Sequence, residues 1–229
     1  MQRASRLKYL DALGIDTWVP RFAKPAPVSA ATPEEARESP DWQPLQAEVS
    51  GCVKCGLAAT RTHTVFGVGN AHADWLVIGE APGAEEDRQG EPFVGAAGRL
   101  LDAMLQAIGL SRNENVFIAN MLKCRPPGNR DPKPEEVTAC MPYLTRQILA
   151  IKPKLILAVG RIAAQNLLAT DVPLGRLRGQ VHRFGPLSTA LIVTYHPAYL
   201  LRSPGEKRKA WEDLKFARDF FNTTLVAAN

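Results

Sequence analysis

Four short apolar runs, each followed by a stretch of helical period, constrain this chain more than any other feature. "DWLVIGE" (residues 74–80), "NVFIAN" (115–120), "KLILAVG" (154–160) and "ALIVTYH" (190–196) are four to six apolar residues long, with no polar alternation. Runs of that kind read as strands buried on both faces. Between them lie helical patterns. "AGRLLDAMLQAIGL" (97–110) puts Leu100, Leu101, Met104, Leu105 and Ile108 on one face and Gly109 at its stop. "KPEEVTACMPYLTRQILA" (133–150) opens with Pro134 in its first turn and Glu135 and Glu136 near its positive end. "RIAAQNLLA" (161–169) follows the third strand, and a last helix covers roughly residues 206–225. Strand–helix alternation of this kind predicts an α/β domain with a parallel sheet covered on both faces. Ligands of such sheets bind beyond the carboxyl ends of the strands. Those ends read "GEAPG", "NMLKC", "VGR" and "YHPAYLLR", so Glu80, Asn120 and His196 should converge on one edge.

The flanking residues read differently. Residues 1–19 read as a short helix, with Leu7, Leu10, Leu13, Ile15 and Trp18 available as apolar anchors. Residues 20–44 carry six prolines, which fix φ and remove donors, so this stretch reads as a linker. The folded domain is expected at residues 45–229. No apolar run approaches the ~20 residues needed to cross a bilayer, and the first residues lack a secretory core. A cytoplasmic, monomeric protein is expected. The formal net charge of +5 is a mild bias toward polyanions. Placement says more: basic residues gather at 125–133, 161–183 and 202–218.

Cys52, Cys55, Cys124 and Cys140 have the spacing C-x2-C-x68-C-x15-C. A disulfide is disfavoured in a reducing compartment. One C-x2-C knuckle is half of what a structural zinc site usually presents, whereas an Fe–S cluster tolerates uneven spacing. Spacing alone leaves iron–sulfur and zinc level, and buried apolar thiols remain an alternative.

Three long motifs, "GEAPGAEEDRQGEPFVGAAGRLL", "NMLKCRPPGNRDPKPEE" and "HPAYLLR", together with the four cysteines, resemble the family 4 uracil-DNA glycosylases. The likeness runs from about residue 49 to 221. It implies a three-layer α/β/α fold with a central, mostly parallel sheet, and a [4Fe-4S] cluster on Cys52, Cys55, Cys124 and Cys140. It also implies hydrolysis of the N-glycosidic bond of deoxyuridine in DNA, by base flipping, leaving an abasic site.

The residues suit that chemistry. Phe93 would stack on the uracil face. Asn120 can offer amide and carbonyl to one base edge, reading O4 and N3 and rejecting cytosine. His196 would donate to uracil O2 as negative charge develops there. In the "GEAPG" loop, Gly79 and Ala81 would line the base site. Glu80 is the candidate for positioning water or stabilising the oxocarbenium sugar. The resemblance places Glu86 near C5 of the base, where it would exclude thymine's methyl. Tyr199, Leu200 and Leu201 would form an apolar tip that wedges into the base stack. Arg202, Lys207, Arg208 and Lys209 would neutralise flanking phosphates, with Arg125 and Arg130 of the "PPGNR" loop as a second contact.

Residues 1–19 resemble the N-terminal peptide of the clamp-loader psi subunit, through a similar Leu-Gly-Ile…Trp…Arg arrangement, which implies a replication partner. Two rival classes stand beside the repair reading. One is an Fe–S redox or DNA-binding protein of the same fold without excision. The other is a glycosylase for another deaminated base, such as hypoxanthine or xanthine.

Overall fold

The computed structural model describes residues 41–226. The expected peptide at 1–19 and nearly all of the expected linker at 20–44 lie outside the described residues. Six strands form one sheet in the order β1-β3-β2-β4-β6-β5. They are β1 (Val68–Gly69), β2 (Trp75–Gly79), β3 (Val116–Asn120), β4 (Leu155–Val159), β5 (His182–Phe184) and β6 (Thr189–Thr194). The four central strands run parallel and the two edge strands antiparallel.

The central strands are the apolar runs of the sequence with ends shifted by a residue or two; the last begins one residue early, at Thr189, and ends at Thr194. All five residues of β2, β3 and β4, and all six of β6, are buried. Their alternation sorts them into two cores. Trp75 and Val77 of β2 join Leu101 and Leu105 of α3 (Ala96–Ala107) and Leu214 of α8 (Lys207–Phe220) on one face. Leu76 and Ile78 join Leu144 and Ile148 of α4 (Pro134–Ile151) and Ala163 of α5 (Arg161–Leu167) on the other. The architecture is therefore a three-layer α/β/α sandwich, as expected.

Four features were not foreseen. Helix α1 (Gln43–Ser50) spans residue 45, where the domain was expected to begin, and Trp42 ahead of it packs on Phe66 and Phe117. The edge strands are only two and three residues long. Short helices α2 (Ala84–Gln89) and α6 (Leu174–Leu177) occupy connections. "PAYLLR", read as a strand-end tip, is a helix, α7 (Pro197–Arg202). Proline at its first position fits the missing donor there. The last helix ends at Phe220 and continues as a π-helical segment, Phe221–Val226.

Register brings the functional strand ends level. Gly79 pairs with Asn120 and Val159 with Thr194. From β2 the chain winds outward to β3, then returns to β4 on β2's other side, which puts the switch point between β2 and β4.

Candidate active site and cysteine cavity

A cleft of about 370 Å³ opens at the carboxyl ends of these strands. Glu80, Ala81, Glu86, Phe93, Asn120 and His196 all line it, as the sequence reading expected. Gly79 lies directly beneath. A Cβ there would collide with Asn120 Oδ1 and with the Phe93 ring, so glycine lets these two groups meet.

Asn120 ends β3 and its side chain is 2% exposed. Its Oδ1 is buried and accepts no hydrogen bond from the described residues. An unpaired buried acceptor costs about 1–3 kcal/mol. Asn120 lines the cleft, so this unpaired acceptor lies next to the space a ligand would enter.

Phe93 has φ 54°, which a bulky residue adopts only under constraint. Arg112 supplies part of that constraint by donating from Nη2 to the Phe93 carbonyl at 2.9 Å. Asp102 anchors Arg112 at 2.7 Å. Gly98 of α3 completes the constraint, because a Cβ there would strike the Phe93 backbone. Arg112 is thus a positioning residue the sequence reading missed; nothing in its local motif marks it.

His196 caps α7. Its Nδ1 accepts from the Ala198 amide at 3.1 Å, which leaves the neutral ring's proton on Nε2. Burial, helped by the Arg202 charge and opposed by Glu86, pushes the imidazole pKa down to about 4. The ring is therefore neutral at pH 7 and still a hydrogen-bond donor. It stacks on Phe93 with centroids 5.6 Å apart.

Glu80 is half-buried, and burial pushes its pKa up to about 7. Asp131 adds to the rise and Arg161 opposes it. These two form an ion pair of 2.7 Å, and Asp131 itself lines the cleft. Neither was singled out from sequence; Asp131 lay in plain view at the end of "PPGNRD", among residues read for their positive charge.

Glu86 has both oxygens occupied. Oε2 accepts from Gly83 N at 3.1 Å, and Oε1 from Val94 N and Gly95 N at 3.0 and 3.2 Å. It straps the "GEAPG" loop to the Phe93 loop while lining the cleft. Glu85 is exposed and paired with Arg88. Asp87 is buried and accepts from the amides of Thr62 and His63.

The rim departs from expectation at two residues. Leu200 is 1% exposed and belongs to the core, so it is not part of an outward wedge; one turn of helix points it inward between its neighbours. Leu201 and Tyr199 are 43% and 37% exposed. Arg130 lines the cleft but its guanidinium grips Glu136 with two bonds of 2.9 and 2.6 Å. The buried Glu136 carboxylate claims the charge that was assigned to phosphate. Arg125 is half-exposed and donates to Asn129 Oδ1. Arg202, Lys207, Arg208 and Lys209 are exposed. Arg208 pairs loosely with Glu212 at 3.3 Å, and Lys209 with Glu206 at 2.8 Å.

The four cysteines, none of them in a disulfide, line a second, apolar cavity. Cys52 and Cys55 flank the turn after α1, Cys124 follows β3, and Cys140 sits in α4. Among the described residues, no three Cys, His, Asp or Glu side chains are grouped so as to hold a single metal ion. An all-sulfur set around one cavity suits iron–sulfur chemistry. Two donors already point at the sulfurs. The Lys123 amide lies 3.2 Å from Cys140 Sγ, and Arg61 Nη1 lies 3.3 Å from Cys124 Sγ.

Comparison with known proteins agrees with this geometry. Residues 66–215 match the family model of the uracil DNA glycosylase superfamily. The type-4 uracil-DNA glycosylase of Archaeoglobus fulgidus is 49% identical over 175 residues, covering 73% of this chain and 87% of its own. That of Thermotoga maritima is 41% identical over 180 residues, covering 77% and 92%. A type-5 enzyme of Thermus thermophilus is 37% identical over 154 residues, covering 58% and 68%. With the family model spanning well over half of the chain and near-full-length relatives above 40% identity, the chain belongs to the uracil-DNA glycosylase superfamily, among its type-4 members.

Proposed function

We propose that this chain removes uracil from DNA by hydrolysing the bond between uracil N1 and the deoxyribose C1′. The observation that carries the reading is the unpartnered Asn120 Oδ1 at the cleft, 2% of its residue exposed. Uracil offers an N–H at N3 and a carbonyl at O4 on one edge, which an amide matches as acceptor and donor. Cytosine inverts the O4 position and leaves N3 without a proton, so it would leave Asn120 Oδ1 unpaired.

The target base is stacked in DNA and must be extruded, at a cost of a few kcal/mol. Phe93 then receives the base face. As the C1′–N1 bond breaks, its electron pair passes to uracil and spreads onto O2 and O4. A neutral His196 donating from Nε2 would stabilise the charge at O2, and such a donor contributes most where water is excluded. A water oxygen bonds to C1′, and the Glu80 carboxylate, which lines the cleft, would take its proton. Thymine's methyl would press on the segment that Glu86 straps in place.

We further propose a [4Fe-4S] cluster on Cys52, Cys55, Cys124 and Cys140. When bound, it would cross-link three distant segments; the hydrolysis itself transfers no electrons. The remaining expectations belong to the same reading: a monomer acting in the cytoplasm, and recruitment to a replication partner through residues 1–19. Among the described residues no helix is long and apolar enough to cross a membrane. Equal recovery of replication proteins with and without residues 1–44 would end the recruitment proposal. Incubation with a uracil-containing oligonucleotide, followed by alkali, tests the activity. Strand scission at uracil is expected, and intact strands would overturn the assignment.

A further inference from the structure

The rim beside His196 carries an aromatic construction that the uracil-release chemistry does not use. Tyr195 follows β6, and Tyr199 lies in α7. Their rings are nearly parallel, 22° apart, with centroids at 5.3 Å. The Arg178 guanidinium also packs on Tyr195, 4.6 Å from the ring centroid. Arg178 is itself locked in place. It donates to both oxygens of Asp213 at 2.6 and 2.9 Å and to the Lys209 carbonyl at 2.7 Å. Asp213 is 2% exposed and also accepts from Thr194 Oγ1 at 2.8 Å. The stack is therefore rooted in a buried, fully bonded network.

Its outer member is Tyr199, which is exposed and lines the cleft. Arg202, three residues on and so on the same helix face, lines the cleft as well. Leu200 is turned into the core and Leu201, though exposed, does not line the cleft, so Tyr199 rather than a leucine pair is the large apolar side chain of this helix at the mouth. A rigid exposed ring beside a cation is the arrangement that binds unpaired bases, since every base has a π-face.

Resting on the uracil-release reading, we propose that Tyr199, backed by Tyr195, is a stacking ledge for the base next to the extruded uracil on the same strand. Arg202 holds the phosphate between the two nucleotides. In a single strand that neighbour is free to swing onto the ledge. In a duplex its own pairing partner holds it back. The ledge therefore favours single-stranded over duplex uracil-DNA.

The test compares intact protein with Tyr199→Phe and Tyr199→Ala. Substrates are a single-stranded uracil oligonucleotide, the same strand with a baseless sugar on the 5′ or the 3′ side of uracil, and the duplex. Tyr199→Ala is expected to raise KM on the single strand about tenfold, the worth of one base–aromatic stack. Its kcat should stay within about twofold, because the ring does not touch the reacting bond. Tyr199→Phe should behave as the intact protein, and the duplex should respond less. A baseless neighbour on one side should weaken the intact enzyme by the same factor and the Tyr199→Ala enzyme no further. Should Tyr199→Ala fail to fold, Tyr199→Leu keeps apolar bulk without a ring and serves the same comparison. Equal losses on single strand and duplex, or a baseless-neighbour loss that persists in the variant, would overturn the ledge. Uracil release by intact protein is scored separately. Its absence ends the glycosylase reading, whereas release without neighbour coupling ends only this proposal.

Discussion

Asn120 and Cys124 leave the same strand four residues apart, yet they enter opposite kinds of surroundings. Asn120 lines an open cleft and keeps a buried oxygen with no partner among the described residues. Cys124 enters an apolar cavity where Arg61 already points at its sulfur. Between them Lys123, 1% exposed, donates to Phe66 O, Asn120 O and Gln147 Oε1 at 3.2, 2.9 and 2.7 Å. One region keeps polar groups unsatisfied or neutral until a ligand arrives. The other satisfies its backbone and basic groups internally and gathers thiols. The contrast separates a site proposed to work by differential binding from one proposed to work by cross-linking. The Lys123 bonds join the two mechanically.

The comparison breaks most sharply at the cleft. Asn120→Ala and His196→Ala are each expected to lower kcat for uracil release by about 10²–10³, the scale of losing one pre-placed polar group. Melting temperature and visible absorbance should remain as in the intact protein. Equal activity would mean that the unpartnered oxygen and the neutral imidazole serve packing alone.

Cys140→Ser addresses the other region. It should abolish visible absorbance and lower Tm by about 10 °C, corresponding to a few kcal/mol at this size. Retained absorbance with all four sites substituted singly would exclude the proposed ligand set. A coupled loss of discrimination between uracil and cytosine would sharpen the role of the Lys123 connection.

Glu80 supplies the pH test. Its carboxyl ionises near pH 7 in the folded protein instead of near 4.5. In the proposed role the ionised form takes the water's proton, so kcat should fall about tenfold per unit below pH 7 and level off above it. Glu80→Gln should remove that limb and lower the plateau. Stability runs the other way. Between about pH 4.5 and 7 the folded state binds more protons at this group than the unfolded state, so stability falls as pH rises through that window. Glu80→Gln should therefore gain a few degrees of Tm over the intact protein at pH 8 and little at pH 4.

The smallest effect belongs to the exposed cations. Lys207→Ala should weaken DNA affinity about two- to threefold, independent of sequence, and reduce the salt slope by about one. Arg130→Ala should instead lower stability by about 1–2 kcal/mol, because its partner is the buried Glu136 carboxylate. A salt-slope change for Arg130→Ala matching that of Lys207→Ala would return Arg130 to the phosphate contacts.

The four central strands, their helices and the convergence of Glu80, Asn120 and His196 were legible because buried parallel strands need continuous apolar runs, and chain order then sets which ends share an edge. The edge strands were not, since Val68–Gly69 and His182–Phe184 are too short and too exposed to leave a period. Nor could local pattern separate Leu200 from Leu201, adjacent leucines in one short helix. What turned one inward was packing against α3 and the sheet.

Apolar period by itself determined the fold class, and the motifs located the residues that line the cleft and the four cysteines that line the second cavity. Tertiary structure alone decided that Asn120 Oδ1 goes unpaired, that Arg130 is spent on Glu136, and that Tyr195, Tyr199 and Arg178 stack. Hydrogen bonding and ring contact depend on distances between segments far apart in the chain, and no local sequence signal encodes those distances.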